Sequence, residues 1–512
     1  MGKRILLIQP NRAVPMWPVR RKPAEPVELI YLAGALQAAG CAVDIIDLQL
    51  GHGDADDIWR RIALGHYPAA GVAIPEQAVL WSGLKLARDV KNLNDSTQVF
   101  AFGLLAALNA RWFLEIASAI DFVVTGDFGG FADETGREGA GRARFREIVG
   151  TAHRHARTLP AGISSGDDSI PGCHDTAAIE IAPADRRLTA SVIRGGGSPA
   201  VVASHGCSGE CSFCCVSSLH SSVWRPRTVA HVHDELQALV DRFGVARFHL
   251  ADSSLLGTTL PASTWAAELC RVLSEFRPPL RLKTSCRLPD LDENSVMMLQ
   301  QAGFDTLKIG IETLCRASQI AYGKVIERDE ATRKIDFILS RGMEASIGFI
   351  TFDPYLSPDD LRANLDFLLR YQDCWGRHLL LSRLVAYRGT RIEQQLAADG
   401  LALARGMEGT VWRFRDPEVA RIHSRYEELV RAEILDLEFG LDARYHALAE
   451  RQPGEADGAG TAPLTECEFL LKQGWIELFR CALDPRHPRD RFASCRRDVE
   501  KLLYGKKYGH SR

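Results

Sequence analysis

Three closely spaced thiols constrain this chain more than any other feature of its sequence. The stretch SHGCSGECSFCC holds Cys207, Cys211 and Cys214 in a Cys-x3-Cys-x2-Cys spacing, and Cys215 follows directly. A structural zinc site normally has four ligands in two pairs, and the chain offers no second CxxC or HxxxH partner. A CxxC redox pair would leave Cys207 without a role. Three thiolates on one short loop are typical of a cubane iron–sulfur cluster with one iron open to a substrate group; a structural metal site is the alternative.

The size and charge of the chain exclude several classes of protein. Its 512 residues are too many for one hydrophobic core, so roughly two to four domains are expected. A net charge of −3 provides no basic field for nucleic acid or for an anionic membrane. No apolar run reaches the length of a membrane span, and the N-terminus lacks the apolar core of a signal peptide. We therefore predict a cytoplasmic protein with neither nucleic acid nor membrane as a partner.

Strand-like and helix-like stretches alternate on the C-terminal side of the cysteines. The strand-like stretches, each followed by a helix-like one, read ARFHLADSS, LRLKTSCRL, TLKIGIET, EASIGFITF and RHLLLSRLVAYRGT. The apolar period switches between 2 and 3.6 along them, as βα units require. This alternation predicts an α/β fold with a parallel sheet, whose site lies at the C-terminal ends of the strands.

The cysteine loop resembles the signature of the radical S-adenosylmethionine (SAM) enzymes, in which an aromatic residue, here Phe213, precedes the last cysteine. The resemblance implies that Cys207, Cys211 and Cys214 hold a 4Fe–4S cluster and that SAM ligates the fourth iron. One electron, supplied by a flavodoxin- or ferredoxin-type reductant, would then cleave SAM to methionine and a 5′-deoxyadenosyl radical. The family fold is a partial (βα)6 barrel of the TIM type, which we place at residues 196–400.

The strand ends carry the SAM contacts that this resemblance implies. A carboxylate in LADSS fits the positively charged amine of SAM, and the glutamate of IGIET matches the GIE strand of the family. LVAYRGT resembles the strand that ends near the adenine, with Arg388 where the family usually has proline. Alternatively, Glu312 is a glutamate with a structural ion-pair partner, and Arg287 is a surface arginine. The residues that we predict to contact SAM are Phe213, Asp252, Ser253, Arg287, Glu312, Tyr387 and Gly389.

Residues 1–150 are predicted to form a separate doubly wound, Rossmann-like domain. The strand-like stretches RILLIQ, AVDIIDL, AGVAIP, TQVFAFG and FVVTGD alternate with helix-like ones, and ligands of such sheets bind at the C-terminal strand ends. One interpretation is that this domain serves only to dock another part of the protein. The order of elements and the stretch VELIYLAGALQAAGCAVDIID, joined to a following barrel, resemble the cobalamin-binding domain of cobalamin-dependent radical SAM enzymes.

Three departures from that domain concern the cobalamin site. The stretch AFGLLAA has one glycine where the family often has two, and GDFGG lacks the second acid of the family's GEGE. The chain also has no DxHxxG motif, which supplies a histidine ligand to cobalt in other cobalamin proteins. Cobalamin is still the cofactor that the resemblance implies for this domain. The contacts that it implies are Pro75, Glu76, Gly103, Thr125 and Gly126.

The rest of the chain divides into a linker and a tail. Residues 151–195 contain the loose stretch PAGISSGDDSIPG and are predicted to connect the two domains. Residues 401–512 read as mostly helical, with a flexible break in RQPGEADGAGTAPLT, and we predict a helical C-terminal domain. From its position, this domain is expected to cap the barrel mouth and to shape the substrate pocket.

Functions from several classes are compatible with such a chain. The resemblance favours a cobalamin-dependent radical SAM methyltransferase, which would use a 5′-deoxyadenosyl radical and methylcobalamin on an unactivated carbon of a small secondary-metabolite substrate. A non-methylating enzyme for ring closure, rearrangement or oxidation, with or without cobalamin, is the main alternative. Methylthiolation of tRNA by a radical SAM enzyme is disfavoured, because that family carries extra cysteines in its N-terminal domain and this chain has only Cys41 early in the sequence. A non-catalytic protein is disfavoured because all three cluster cysteines are present. The sequence identifies no catalytic side chain.

Overall fold

Two parallel sheets, one in each half of the chain, organise the protein. The computed structural model describes residues 4–12, 23–124, 152–153, 179, 181–219, 222–258, 260–406, 409–449 and 462–504. The first sheet lies in the N-terminal region, the second lies in the predicted barrel, and helices make up most of the C-terminal region. This arrangement confirms the predicted α/β fold class.

The N-terminal sheet has the strand order of a doubly wound fold. Five parallel strands lie in the order β2-β1-β3-β4-β5, and a short antiparallel strand, β6, pairs with β5. The strands are β1 Arg4–Gln9, β2 Ala42–Asp47, β3 Ala69–Ala73, β4 Gln98–Phe102, β5 Phe122–Val123 and β6 Ala152–His153. The helices are α1 Val27–Ala38, α2 Ala55–Ala63, α3 Leu80–Leu93, α4 Leu104–Leu108 and α5 Ala110–Ile116.

The alternating side chains of β1 show why helices cover both faces of this sheet. Ile5 and Leu7 pack in one core cluster with the apolar residues of α1. Leu6 and Ile8 point the other way and pack in a second cluster with residues of α2 and α3. A parallel strand that is buried on both faces has a continuous run of apolar residues, and β1 has the run ILLI.

The second sheet is parallel throughout, with five strands in the order β13-β12-β11-β10-β7. The strands of this half are β7 Ala200–Val201, the antiparallel ribbon of β8 Ser204–Gly206 and β9 Trp224–Pro226, then β10 Arg247–Leu250, β11 Arg281–Arg287, β12 Phe304–Glu312 and β13 Glu344–Phe349. The helices are α6 Thr189–Arg194, α7 Cys215–Leu219, α8 Val229–Phe243, α9 Leu260–Ser274, α10 Glu293–Gln301, α11 Arg316–Tyr322, α12 Arg328–Ser340 and α13 Pro358–Arg370.

The sixth strand predicted for the barrel, RHLLLSRLVAYRGT, is wrong in its first half. That half forms a 3-10 helix at Arg377–Leu381, and the extended part joins the sheet through a bridge between Phe352 and Arg383. The Ser382 side chain explains the short pairing, because its hydroxyl accepts the Thr351 N–H at 3.0 Å. A backbone donor that a longer ladder would use is therefore already bonded.

The C-terminal region packs onto the barrel as a set of helices. Its elements are α14 Arg391–Ala398, β14 Ala402–Arg405, β15 Thr410–Trp412, α15 Pro417–Glu433, α16 Leu435–Ala449, α17 Ala462–Leu483 and α18 Asp490–Tyr504. Phe352 follows β13 and is fully buried against the rings of Tyr426 and Phe479, so the helical and barrel cores are continuous. Among the described helices, none combines the length and the apolar character needed to cross a membrane.

A buried ion cluster of Glu25, Arg186, Arg227 and Glu235 joins the two halves of the molecule. Arg186 donates to Glu25 at 2.7 Å and to Glu235 of α8 at 2.5 Å. Arg227 donates to Glu235 at 2.6 Å, and the Tyr31 hydroxyl of α1 also donates to it. Burial alone would raise the pKa of Glu235, but the charges of Arg227 and Arg186 outweigh burial and lower it. The N-terminal domain is therefore attached to the barrel by charged groups that water hardly reaches.

Candidate active site

The cysteine loop, residues 207–214, is held at its base and on its outer side. The β8–β9 ribbon closes its base. On the outer side, Ser212 donates its backbone N–H to the Tyr322 carbonyl at 2.8 Å and its hydroxyl to the Ala321 carbonyl at 2.7 Å. The Ser212 carbonyl accepts the Ile392 N–H, at the start of α14, at 3.0 Å. Two helix ends therefore fix the loop through its backbone and through one serine, which leaves the thiols available for ligands.

The three thiols lie near one another without converging on one point. Burial raises the pKa of Cys207 and Cys211, that of Cys211 to about 11, and the charge of Cys214 raises both further. In the part of the chain that the structure describes, no group of His, Cys, Asp and Glu side chains has the spacing of a single-ion site. A cubane takes each cysteine thiolate on a different iron, so neighbouring but separate thiols fit a 4Fe–4S cluster.

Arg287, at the end of β11, reaches the cysteine loop. Its Nη1 lies 3.3 Å from the Ser208 hydroxyl and 3.4 Å from Asp290. Its Nε is buried beside Gly209 and has no acceptor among the described residues. A buried N–H without an acceptor is costly, and a ligand carboxylate would satisfy it. Arg287 therefore fits the carboxylate end of SAM.

An ion pair flanks the loop on the side of Cys211. Lys324 donates to Glu312 at 2.9 Å, and both side chains are largely buried. The charge of Lys324 lowers the pKa of Cys211 and that of Glu312 raises it, so the pair lies within electrostatic reach of this thiol. A partly buried carboxylate beside the loop fits the ammonium group of SAM.

Glu312 itself has an unusual backbone conformation. Its φ of +68° lies in the left-handed region, and the pairing of β12 with β13 is irregular between Gly310 and Glu312. A Cβ at position 310 would collide with the Glu312 carboxylate and press on Lys324, so glycine makes room for the ion pair. A non-glycine residue held in this region costs roughly 1–3 kcal/mol, and such strain is concentrated at functional sites.

Asp252 and Ser253 follow β10 at the same edge of the sheet. One oxygen of Asp252 accepts the Ala203 N–H at 3.1 Å and the Ser204 hydroxyl at 2.9 Å, so it fixes the chain before the cysteine loop. The other oxygen is buried without a partner among the described residues. Burial raises the pKa of Asp252 to about 6, although the bonds from Ser204 lower it. Ser253 is exposed. Asp252 thus has one oxygen engaged in the fold and one left for a ligand.

The other residues predicted to contact SAM lie at the flanks of this edge. Phe213 packs its ring edge-on against Tyr322, with the ring centroids 4.9 Å apart, so its side chain supports α11. Tyr387 packs into a core cluster of the N-terminal domain, and Gly389 lies beside Leu108 of α4. The structure brings the other four predicted residues together at the barrel edge and places these three around it. Their contacts with SAM stay predictions.

The predicted cobalamin contacts lie at the C-terminal edge of the N-terminal sheet. Pro75 and Glu76 follow β3, Gly103 follows the adjacent β4, and all three are partly exposed. The backbone of Gly103 has a φ of +107°, and a Cβ there would press on the Pro75 nitrogen. A closely packed, partly exposed strand edge of this kind fits a large flat cofactor. Thr125 and Gly126 lie outside the described residues.

Glu28, in the first turn of α1, belongs to the same edge and was missed by the sequence analysis. One of its oxygens accepts the Leu104 N–H at 2.9 Å, and the other lies against Gly103. Burial raises the pKa of Glu28 to about 7 against the hydrogen bond from Leu104, and the charge of Glu76 adds to the rise. In the sequence, an acid at the start of an apolar helix signals only a favourable first turn.

The two edges meet across the domain interface. Helix α4, which follows Gly103, packs against α7, which begins at Cys215 directly after the cysteine loop. The Arg388 guanidinium, after the last barrel segment, lies over the Trp112 ring of α5 at 4.8 Å. Burial raises the pKa of Cys215 to about 12, and the charge of Glu28 contributes to the rise. The cysteine loop and the edge that holds Gly103 therefore lie next to each other.

Comparison with known proteins shows which family and which folds this chain resembles. Residues 201–368, which include the cysteine loop, match the family described as the radical SAM superfamily. This part of the chain is a radical SAM domain. The fold of the chain is similar to that of the cobalamin-dependent SAM radical enzyme OxsB with aqua-cobalamin and SAM bound, with a TM-score of 0.64 and 15% identity, over 98% of this chain and 80% of OxsB. It is also similar to the radical SAM methyltransferase TsrM of Kitasatospora setae with cobalamin and a 4Fe–4S cluster bound, with a TM-score of 0.62 and 18% identity, over 95% of this chain and 100% of TsrM.

Two relatives of known sequence carry methyltransferase names. A Pyrococcus horikoshii protein described as an uncharacterized methyltransferase is 22% identical over 410 residues, which cover 78% of this chain and 84% of the relative. The cytidylyl-2-hydroxyethylphosphonate methyltransferase of Streptomyces wedmorensis is 25% identical over 171 residues, which cover 32% of this chain and 31% of that protein. The predicted enzyme class and fold are thereby confirmed. The domain bounds, the residue roles, the reductant and the cytoplasmic location stay predictions.

Proposed function

We propose that this radical SAM enzyme binds cobalamin and transfers a methyl group to an unactivated carbon of a small molecule. The observation that carries the proposal is the contact of α4 with α7, which puts the edge holding Gly103 beside the cysteine loop. Further support comes from the fold shared with OxsB and TsrM over nearly the whole chain, and from the methyltransferase names of the two sequence relatives.

The residues of the barrel edge would bind the cluster and SAM. When bound, the cluster supplies the electron that cleaves SAM, and cobalamin carries the methyl group. Cys207, Cys211 and Cys214 would hold the cluster. Arg287 would bind the carboxylate of SAM through its unpartnered Nε, and Glu312 would bind the ammonium group. The two charges would thereby orient the methionine part of SAM across the loop.

The residues of the N-terminal edge would bind cobalamin and limit the access of water. Pro75, Glu76 and Gly103 are the partly exposed groups of that edge, and Glu28 stands behind Gly103. The contact of α4 with α7 would limit the access of solvent between the two cofactor sites. Exclusion of water from a radical site prevents side reactions. The buried ion cluster would keep the two edges in register.

A second candidate is a cobalamin-dependent enzyme that does not methylate its substrate. It is supported by the similarity to OxsB, which is named a cobalamin-dependent SAM radical enzyme and not a methyltransferase, and which is similar over 98% of this chain. Transfer of an isotopic label from the methyl group of SAM to a product separates the two candidates.

Cofactor loading tests the proposal directly. The purified chain is reconstituted anaerobically with iron, sulfide and hydroxocobalamin, desalted, and analysed for bound iron and cobalamin by absorbance. We expect about four irons and about one cobalamin per chain. Cys211→Ala should lose the iron and keep the cobalamin, whereas Cys495→Ala, a half-buried cysteine in α18, should keep both. Iron without cobalamin in the unmodified chain would refute the proposal.

A further inference from the structure

A buried acid beside the cysteine loop has no part in the cofactor sites described so far. Asp290 ends the 3-10 turn Leu288–Asp290, which follows directly on Arg287 at the end of β11. Only 8% of its side chain is exposed. One carboxylate oxygen lies 3.4 Å from Nη1 of Arg287, and the other is buried without a hydrogen-bond partner among the described residues. A buried polar atom without a partner is costly, and the chain keeps this one at the side of the loop.

The charge of Asp290 is only weakly compensated. Its contact with Arg287 is longer than the roughly 2.7–2.9 Å of a hydrogen bond between charged groups, whereas Glu312 accepts from Lys324 at 2.9 Å on the side of Cys211. Burial raises the pKa of Asp290. The charges of Arg287, Lys334 and Lys324 act against burial and favour the ionised form. A carboxylate with one long contact and little water around it keeps a field that reaches neighbouring groups.

The field of Asp290 extends to Cys207, the first of the three cluster cysteines. The Arg287 guanidinium contacts both the acid and the loop, because its Nη1 lies 3.3 Å from the Ser208 hydroxyl and its Nε lies beside Gly209. Burial raises the pKa of Cys207 most, and the Gly209 N–H and the charge of Arg287 lower it. The charge of Asp290 adds to the rise in this pKa. A charge that disfavours a thiolate also disfavours the additional electron of a reduced cluster at the same place.

We propose that Asp290 lowers the reduction potential of the 4Fe–4S cluster that the loop would hold. A cubane gains one negative charge on reduction, and a nearby buried carboxylate opposes that gain. The local charge is one of the factors that set the potentials of such clusters. A lower potential makes the reduced cluster a stronger donor of the electron that cleaves SAM. Asp290 acts through its field, so it is neither a ligand of the cluster nor a contact of SAM.

A redox titration of the reconstituted chain tests the inference without turnover. The cluster is reduced stepwise with dithionite in the presence of redox mediators and without SAM, and the reduced form is quantified by its electron paramagnetic resonance signal. Asp290→Asn keeps the shape of the side chain and removes its charge. We expect this variant to raise the ratio of reduced to oxidised cluster about tenfold at a fixed potential, which is a rise in the reduction potential of about 59 mV for one electron.

Three further variants separate the field of the carboxylate from a change of structure. Asp290→Ser is a second neutral variant and should raise the potential by a similar amount, whereas Asp290→Glu keeps the charge and should leave the potential nearly unchanged. Asp241→Asn removes an exposed acid near the end of α8, which leads into the start of β10 at the opposite edge of the sheet, and should also leave it unchanged. An unchanged potential in the neutral variants, or an equal rise in Asp290→Glu or Asp241→Asn, overturns the inference. Loss of iron from both neutral variants would assign Asp290 a structural role and would overturn it too.

The inference goes beyond the proposed function, because it concerns the cluster and does not require cobalamin. A chain that binds iron without cobalamin, with a higher potential in Asp290→Asn, would refute the proposed function and keep the role of Asp290. A chain that binds both cofactors, with equal potentials in the unmodified protein and in Asp290→Asn, would keep the proposed function and refute the role of Asp290.

Discussion

The two sheets build their candidate binding edges in different ways. The barrel edge uses side chains: three thiols on one loop, Arg287 beside it and the ion pair of Glu312 with Lys324. The N-terminal edge uses mostly backbone, at Pro75 and at Gly103, where glycine permits a close approach. A cofactor held by side chains leaves a motif in the sequence. A cofactor held by backbone and shape leaves a pattern of elements and a few small residues.

The largest expected effect comes from breaking the joint between the two edges. Glu235→Gln leaves Arg186 and Arg227 buried with one carboxylate fewer, so we expect the free energy of unfolding to fall by about 3–5 kcal/mol. Urea unfolding followed by circular dichroism measures the loss. Glu275→Gln removes an exposed partner of Arg271 and should change stability by about 0.5 kcal/mol or less. Similar losses in both variants would show that the buried cluster does not stabilise the joint.

A change at Gly103 should disturb the N-terminal edge and spare the barrel edge. A valine there would adopt a strained φ and press on the Pro75 nitrogen and on Glu28, so we expect cobalamin affinity to fall about tenfold or more. The iron content should not change. Gly40→Val is the matched control, because Gly40 has a φ of +82° but no atom within 4 Å of the added Cβ. Equal cobalamin binding by the Gly103 variant and the control would place the cofactor elsewhere.

The smallest effect is a pH dependence at Glu28. Its folded pKa of about 7 lies above its ordinary value, so its contribution to stability is complete at low pH and is lost as the pH rises through 7. The unmodified protein should therefore lose stability relative to the Glu28→Gln variant as the pH rises from 6 to 8, by on the order of 1 kcal/mol in the free energy of unfolding. Urea midpoints at these two pH values measure the loss. Parallel pH profiles of the two proteins would contradict the raised pKa.

Most of the fold could be predicted because its elements have strong local patterns. The strand at Arg4–Gln9 and the helix at Val27–Ala38 have the extent that apolar runs and periodicity indicate. The failure at Arg377–Leu381 has a physical cause, since HLLL suits a buried strand and a buried helical turn equally well. Periodicity cannot separate these alternatives. Long-range bonds such as that of Ser382 decide between them.

The candidate site also has residues that could be predicted from the sequence and residues that could not. The cysteines follow from their spacing, and Glu312 follows from its resemblance to a family strand, because those signals are local. Glu28 and Arg186 could not be found, since each acts through partners far away in the chain.

The left-handed backbone of Glu312 has a consequence for the evolution and engineering of this enzyme. Glycine would adopt that conformation without the strain, so a screen for heat resistance alone would favour a double change, of Glu312 to glycine and of Lys324 to an uncharged residue that needs no carboxylate. The ion pair with Lys324 beside Cys211 requires the carboxylate, and a screen for turnover would keep it. Position 312 should therefore separate lineages selected for durability from lineages selected for catalysis.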